Sequence, residues 1–288
     1  MKIRKMLIGI SVMGLVLTGC GKSDSSSSGK SDNSIHVVSR ENGSGTRDAF
    51  VEITGVLEKD SSGNKVDNTT KDAIIQNSTE SVMSTVQNDK NAIGYISLGS
   101  LSDVVKAVKV DGVEPTKDNI KNKSYKLQRP FLIAYQNGKL SAGAKDFLKF
   151  LASQEASTEI EKDGYISIDK GTEFETSKPK GKLSISGSTS VTPLMEKLVE
   201  KYGALNPDLD IEIQSNGSSA GISDALAGVA DLAMSSRDLK PEEKLETYTL
   251  ALDGIAIIAN HESKVESISL ENIKSVYTGK IVEWSEVE

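Results

Sequence analysis

The chain has 288 residues and a formal net charge of −7, with 34 Lys and Arg against 41 Asp and Glu. An acidic chain without a stripe of interleaved basic and aromatic residues is not expected to bind nucleic acid. Two histidines and one cysteine are too few for a typical transition-metal site, and no cofactor is predicted.

The first segment has the pattern of a bacterial export signal. Basic residues precede the apolar run 6–17, which is too short for a membrane-spanning helix because such a helix needs roughly 20 residues. The run ends in Leu17-Thr18-Gly19-Cys20, which resembles the bacterial lipobox. The resemblance implies a signal peptide over 1–19 and a lipid on Cys20. Residues 20–34 are rich in Ser, Gly, Asp and Lys, which predicts a flexible tether on the extracytoplasmic face of the cell membrane.

The remaining chain alternates strand and helix patterns, interrupted by a loop at 60–64 and a polar linker at 171–182. Buried-strand patterns are predicted at 35–39, 92–97, 104–110, 129–135, 183–186, 211–214, 231–234 and 250–259. Helical spacing is predicted at 47–57, 81–88, 142–161, 191–202, 222–228 and 270–277. This alternation predicts an α/β chain with mainly parallel sheets, whose ligand lies at the carboxyl ends of the strands.

Turns rich in Gly, Ser and Thr follow four of these strands. Where such a turn opens a helix, its free backbone N–H groups lie at the positive end of the helix dipole and can bind an anion. Arg40, which precedes one of the turns, adds a charged and fork-shaped donor. Three of the turns and Arg40 could together surround a tetrahedral oxyanion.

The same turns carry a resemblance to a known family. Arg40 followed by Gly43-Ser44-Gly45-Thr46, then Gly187-Ser188-Thr189-Ser190 and Gly217-Ser218-Ser219-Ala220-Gly221, resemble the phosphate-binding proteins of the high-affinity phosphate ABC importer. Segments 91–96 and 129–131 resemble further landmarks of that family, and the resemblance covers about 35–287. It implies a two-lobed, periplasmic-binding-protein-like (type II) α/β fold with a two-stranded hinge and the ligand in the cleft.

The order of the segments is rotated relative to the family, so the chain resembles a circular permutant. The family usually begins with the segment found here at Leu183, and the segment found here at Ile35 usually follows 284–287. Lobe A is then predicted to comprise 35–127 plus 257–288, and lobe B to comprise 128–256. Strands 129–135 and 250–260 would form the hinge.

The resemblance also implies which residues hold the ligand. They are Arg40, Ser44, Gly45, Thr46, Thr189, the backbone of Ser190, Ser218 and Ser236. At Ser236 the best-known members have an Asp, which accepts the proton of hydrogen phosphate and so rejects sulfate.

Asp253 is the candidate replacement for that Asp, because a carboxylate inside an apolar strand is costly unless it is functional or paired. A structural salt bridge with Arg237 is the alternative. If Asp253 accepts the proton, Asp253→Asn should weaken phosphate binding and relax discrimination against sulfate.

Other functions also fit parts of the sequence. A serine hydrolase could use Ser219 in Gly-x-Ser-x-Gly, with His261 as base and Asp253 to orient it. A binder of sulfate or molybdate, and a phosphate sensor or surface adhesin, would share the anchor and the loops. The expected protein is a monomer and not an enzyme. Its expected partners are phosphate, an ABC permease with its ATPase and, through the lipid, the membrane.

Overall fold

The computed structural model describes residues 33–168 and 171–287. The predicted signal peptide, the lipidated Cys20 and nearly all of the tether therefore lie outside the described residues. The described strands are β1 His36–Arg40, β2 Leu57–Lys59, β3 Lys65–Asp67, β4 Ile74–Gln76, β5 Ala92–Ser97, β6 Lys106–Val110, β7 Gln128–Tyr135, β8 Ile166–Ser167, β9 Gly181–Gly187, β10 Leu209–Ser215, β11 Leu232–Ser235, β12 Glu246–Ala259 and β13 Ser267–Ile268. The described α-helices are α1 Gly45–Thr54, α2 Thr79–Asn88, α3 Lys117–Lys121, α4 Ala142–Leu151, α5 Gln154–Lys162, α6 Thr192–Leu205, α7 Ser218–Ala227 and α8 Leu270–Tyr277.

One long, mixed sheet connects the two lobes, with the strand order β10-β9-β11-β7-β12-β5-β1-β4. Within each lobe the strands that precede helices are parallel, as β9 is to β10 and β1 to β4. The crossing strands β7 and β12 are antiparallel to each other and to their neighbours, so the expectation of a mainly parallel sheet is wrong at its centre. Strand β12 pairs with β7 as far as Gly254 and with β5 from Ile255 onward.

The core consists mainly of two large apolar clusters, one on each side of this crossing. One cluster is built chiefly from residues between Ile35 and Leu127 and between Ile255 and Tyr277. The other is built from residues between Phe131 and Ala251. The fold is thus the predicted two-lobed α/β fold, and we keep the names lobe A and lobe B. The short strand β8 also pairs with β12 at Ala251 and Leu252, which adds a third strand beside the two predicted for the hinge.

Several element boundaries differ from the prediction for local reasons. The helix predicted at 142–161 is two helices, because Ser153 caps a new helix. Its hydroxyl accepts a hydrogen bond from the Ala156 N–H. The helix predicted at 47–57 ends at Gly55, whose left-handed backbone closes α1. Leu57 instead begins a hairpin with β3.

The linker at 171–182 is more firmly held than its polar composition indicated. Asp146 on α4 accepts hydrogen bonds from the Thr176 hydroxyl (2.7 Å) and from the Ser177 N–H (2.9 Å). Phe174 packs edge-on against Phe150, with ring centroids 5.5 Å apart. Burial alone would raise the pKa of Asp146, but the hydrogen bonds from Ser177 and its neighbours lower it overall. These contacts keep the segment on the surface of lobe B.

Candidate anion-binding site

The loops that resembled a known family all lie where a strand ends in the sheet. Strand β1 leads into α1, β9 into α6 and β10 into α7, and Ser236 follows β11. Because β9, β10 and β11 are parallel neighbours, their three loops meet at one edge of lobe B. The loop before α1 faces these three loops from lobe A.

Helices α6 and α7 begin without a side-chain cap. In every other α-helix that the structure describes, a Ser or Thr hydroxyl accepts a hydrogen bond from a backbone N–H of the first turn. Val191 and Gly217 stand at the cap positions of α6 and α7 and make no such bond. A helix start left without a capping side chain can use its N–H groups on an anion, and both of these starts lie at the same place.

Polar contacts join the two lobes across this place. The Arg40 Nη2 of lobe A donates to the Thr189 hydroxyl of lobe B over 3.0 Å. The hydroxyls of Thr46 and Ser190 are 2.7 Å apart. The Ser219 N–H donates to the Gly43 carbonyl over 3.1 Å. Three loops are therefore in direct contact, and their donors converge on one buried region.

The remaining predicted residues complete this region. The Ser188 hydroxyl donates to the Ser236 hydroxyl over 2.9 Å, and the Ser236 N–H donates to the Ser218 hydroxyl over 3.2 Å. A Cβ on Gly45 would lie 2.3 Å from the Ser218 Oγ and 2.7 Å from the Ser236 Oγ. Only a glycine at position 45 therefore lets lobe A approach lobe B this closely. Ser44 is buried beside it and caps α1.

The guanidinium of Arg40 forms an ion pair with the carboxylate of Glu41. Arg40 is 2% exposed, and its Nε and Nη2 donate to the two carboxylate oxygens of Glu41 over 2.8 and 2.9 Å. The pair is close to neutral as a unit. A bound anion would therefore be stabilised by hydroxyls, backbone N–H groups and the remaining donors of Arg40 rather than by a net positive charge.

Asp253 lies outside this set of loops. Its carboxylate accepts from the Ser97 hydroxyl over 2.9 Å and forms an ion pair with Arg129 at 3.2 Å, where both side chains are about 1% exposed. Burial raises the pKa of Asp253 more than the Arg129 charge lowers it, and burial likewise lowers the pKa of Arg129. None of its hydrogen bonds among the described residues goes to a loop hydroxyl of the site, so the geometry offers no support for a role as proton acceptor.

The predicted alternative, a structural salt bridge between Asp253 and Arg237, is wrong. Arg237 pairs instead with Glu243 at 2.7 Å and, across the lobes, with Asp48 at 3.0 Å. Burial opposes the charge of Arg237, but the Glu243 hydrogen bond and both carboxylates raise its pKa overall. Arg129 is the link between hinge and site, since its Nη1 donates to the Ser236 carbonyl over 3.3 Å.

The residues of the hydrolase alternative do not form a triad. The Ser219 hydroxyl accepts from the Arg237 guanidinium over 3.2 Å, and His261 contacts the Asp103 carbonyl at 2.8 Å on the surface. Asp253, the third member, is engaged with Arg129 in the hinge. A nucleophile and its base must lie within hydrogen-bond reach, and these three side chains each have another partner.

Two residues at the site were not among those predicted. Ser188 lies within a loop that was singled out, and its hydroxyl contacts Ser236. Thr79 begins α2, and its hydroxyl is 3.2 Å from that of Ser190. A sequence signal existed for Thr79, because Ser78-Thr79-Glu80-Ser81 has the composition of a helix start, but the helix was predicted to begin at 81.

Comparison with known proteins identifies the family of this chain. A model of the PBP superfamily domain matches residues 22–155 and 172–288. The phosphate-binding protein PstS 2 of Streptococcus pneumoniae serotype 4 is 46% identical over 100% of both chains. The chain belongs to the PstS family of this superfamily. PstS 2 of Streptococcus agalactiae serotype V is 43% identical over 100% of this chain and 99% of its own.

A solved structure supports the same assignment. The crystal structure of the phosphate-binding protein of a phosphate ABC transporter from Streptococcus pneumoniae TIGR4 matches with a TM-score of 0.71. It is 47% identical and covers 88% of this chain and 100% of its own. Family membership therefore makes this chain a solute-binding protein and not an enzyme, as the sequence predicted. In the part of the chain that the structure describes, no helix is both long and apolar enough to cross a membrane.

Proposed function

We propose that this protein captures inorganic phosphate between its two lobes and delivers it to an ABC importer. The observation that carries the proposal is the convergence of two uncapped helix starts with hydroxyls from both lobes and Arg40. Such a set of donors suits a small tetrahedral oxyanion, and the relatives that span the whole chain are named phosphate-binding proteins.

The anion is held by Arg40, by the hydroxyls of Thr189, Ser190, Ser218 and Ser236, and by the N–H groups of Gly45 and Thr46 at the start of α1. Because these donors come from different lobes, binding favours the state in which the lobes meet. The permease then recognises the lobes in that arrangement. The protein works as a monomer and stays at the extracytoplasmic face through a lipid on Cys20.

Binding of another oxyanion is the second candidate, and a specific observation favours keeping it. Where the best-known family members carry an Asp, the residue here is Ser236, and a hydroxyl can donate to sulfate as readily as to phosphate. The carboxylate of Glu41, which lies beside these loops, already accepts two bonds from Arg40. Rejection of sulfate would therefore depend on the arrangement of hydroxyl protons rather than on a buried acid.

We propose that the chain is a circular permutant of the family's usual order. Two observations support it. The Ile35 N–H donates to the Val282 carbonyl over 2.7 Å and the Trp284 N–H to the Asn33 carbonyl over 2.9 Å, so both ends of the described fold lie together. The PstS of Bacillus subtilis, 36% identical, matches over only 38% of this chain.

Delivery to an importer is tested by uptake in cells. Cells that lack this protein are expected to take up radiolabelled phosphate more slowly at low external phosphate, because capture precedes transport. The wild-type chain should restore uptake, and Arg40→Met, expressed at the same level, should not. Unchanged uptake in the deleted strain, with an altered response of phosphate-regulated genes, would instead identify a sensor and refute delivery.

A further inference from the structure

Helix α2 places Thr79, which was not among the predicted ligand residues, beside the site. Strand β4 pairs in parallel with β1, and Gln76 at its end lies opposite Arg40. The helix that follows β4 therefore starts at the same edge of the sheet as the loop that follows Arg40. Thr79, the first residue of α2, has a relative exposure of 0%.

The Thr79 hydroxyl forms a cross-lobe chain of three hydroxyls. It is 3.2 Å from the Ser190 Oγ of lobe B, which is itself 2.7 Å from the Thr46 Oγ1 of lobe A. Among the residues that the structure describes, Ser190 is the hydrogen-bond partner of both threonine hydroxyls. Ser190 is thus held between two threonines of the opposite lobe.

We propose that Thr79 is a ligand-positioning residue, which acts by aiming the Ser190 hydroxyl proton at the bound anion. A serine hydroxyl has one proton and two lone pairs. When Thr46 and Thr79 both donate to Ser190, its lone pairs are filled and its proton is left for the anion. This inference rests on the proposed function, because it concerns the phosphate that Ser190 is proposed to bind.

The direction of these hydroxyl bonds matters because an unprotonated oxygen of the anion can only accept hydrogen bonds. Without the Thr79 hydroxyl, one lone pair of Ser190 is free to face the anion, where it repels an unprotonated oxygen. Thr79 is accordingly expected to affect anion affinity although it need not contact the anion itself.

A purely structural role is the competing account. A buried hydroxyl needs a partner, and Ser190 could satisfy Thr79 without any consequence for the ligand. In that case removal of the hydroxyl would lower stability and leave phosphate affinity unchanged. The two accounts differ in what happens to affinity when the shape of residue 79 is kept.

The test is calorimetric titration of the full-length protein, purified in detergent, with inorganic phosphate. Thr79→Val keeps the shape and removes the hydroxyl, and its affinity is expected to fall about 5- to 30-fold, the effect of one lost buried hydrogen bond. Thr79→Ser restores the hydroxyl and should bind within about twofold of the wild type. Thr79→Ala carries the same expectation as the valine variant and replaces it if that variant does not fold.

Thr54 provides a matched control in the same lobe. It is also a buried threonine, but its hydroxyl donates to the Phe50 carbonyl within α1. Thr54→Val should lose stability and keep the wild-type affinity. When Thr79→Val is added to a Ser190→Ala protein, phosphate affinity should fall by less than about twofold further, because the Ser190 hydroxyl through which Thr79 acts is already absent.

Three outcomes would overturn the inference. They are an unchanged affinity in Thr79→Val, an equal loss in Thr54→Val, and a full loss from Thr79→Val when Ser190 is already alanine. If the wild-type protein itself gave no heat with phosphate, the proposed function would fail and this inference with it. A wild-type protein that binds phosphate beside a Thr79→Val variant of equal affinity would contradict the inference alone.

Discussion

Arg40→Met is expected to weaken phosphate binding by at least about 100-fold, because it removes a charged donor and leaves the partly buried carboxylate of Glu41 without its partner. The Nε and Nη2 of Arg40 already hold Glu41 and Thr189, and among its described hydrogen bonds none uses Nη1. That nitrogen is available to the anion. In the methionine variant the Glu41 charge would face the incoming anion without compensation.

Two further variants separate the contributions. Arg40→Lys keeps the charge but loses the fork geometry, so its affinity should lie between those of the wild type and Arg40→Met. Glu41→Gln added to Arg40→Met removes the unpaired carboxylate and should recover part of the loss. Calorimetry with phosphate measures all three, and a titration of Arg40→Met that matches the wild type would rule out Arg40 as a ligand residue.

Asp253→Asn is expected to lower the free energy of unfolding by about 3–5 kcal/mol, as found when one partner of a buried ion pair is removed. The substitution leaves Arg129, about 1% exposed, without its counter-charge in the hinge. Urea denaturation measures the loss. Arg129→Met added to Asp253→Asn removes the stranded charge as well and should recover much of it.

Asp48→Asn is the control for this prediction. Asp48 also pairs with an arginine, but its side chain is about one-third exposed, and Arg237 keeps Glu243. The expected cost is below about 1 kcal/mol. If Asp253→Asn were as stable as the wild type but bound phosphate weakly and sulfate more strongly, Asp253 would be the proton acceptor that the sequence indicated, and the structural explanation would be wrong.

The local parts of the fold were predictable because their causes are local. A Gly- and Ser-rich turn between a buried strand and an amphipathic helix is encoded within about fifteen residues. The units around Arg40, Thr189 and Ser218 were therefore found, and with them most of the proposed site. Strand β5 and helix α8 even have the predicted bounds.

The parts that were missed depend on pairing between distant segments. Strands β4, β8 and β13 have three or two residues each, too few for a periodic pattern, and exist because a neighbouring strand pairs with them. Thr79 reaches the site only through the β4 pairing with β1. The partner of Asp253 could not be chosen from the sequence, because Arg129 and Arg237 are both distant in the chain and only the strand register brings Arg129 opposite Asp253.

The central claim is that donors from both lobes surround one phosphate, and calorimetric titration of the purified protein tests it most directly. Phosphate, arsenate, sulfate and molybdate are titrated in turn under the same conditions. The account predicts one phosphate bound per chain, with arsenate binding comparably because its shape and protonation are similar. No heat with phosphate, or tighter binding of sulfate or molybdate than of phosphate, would contradict it.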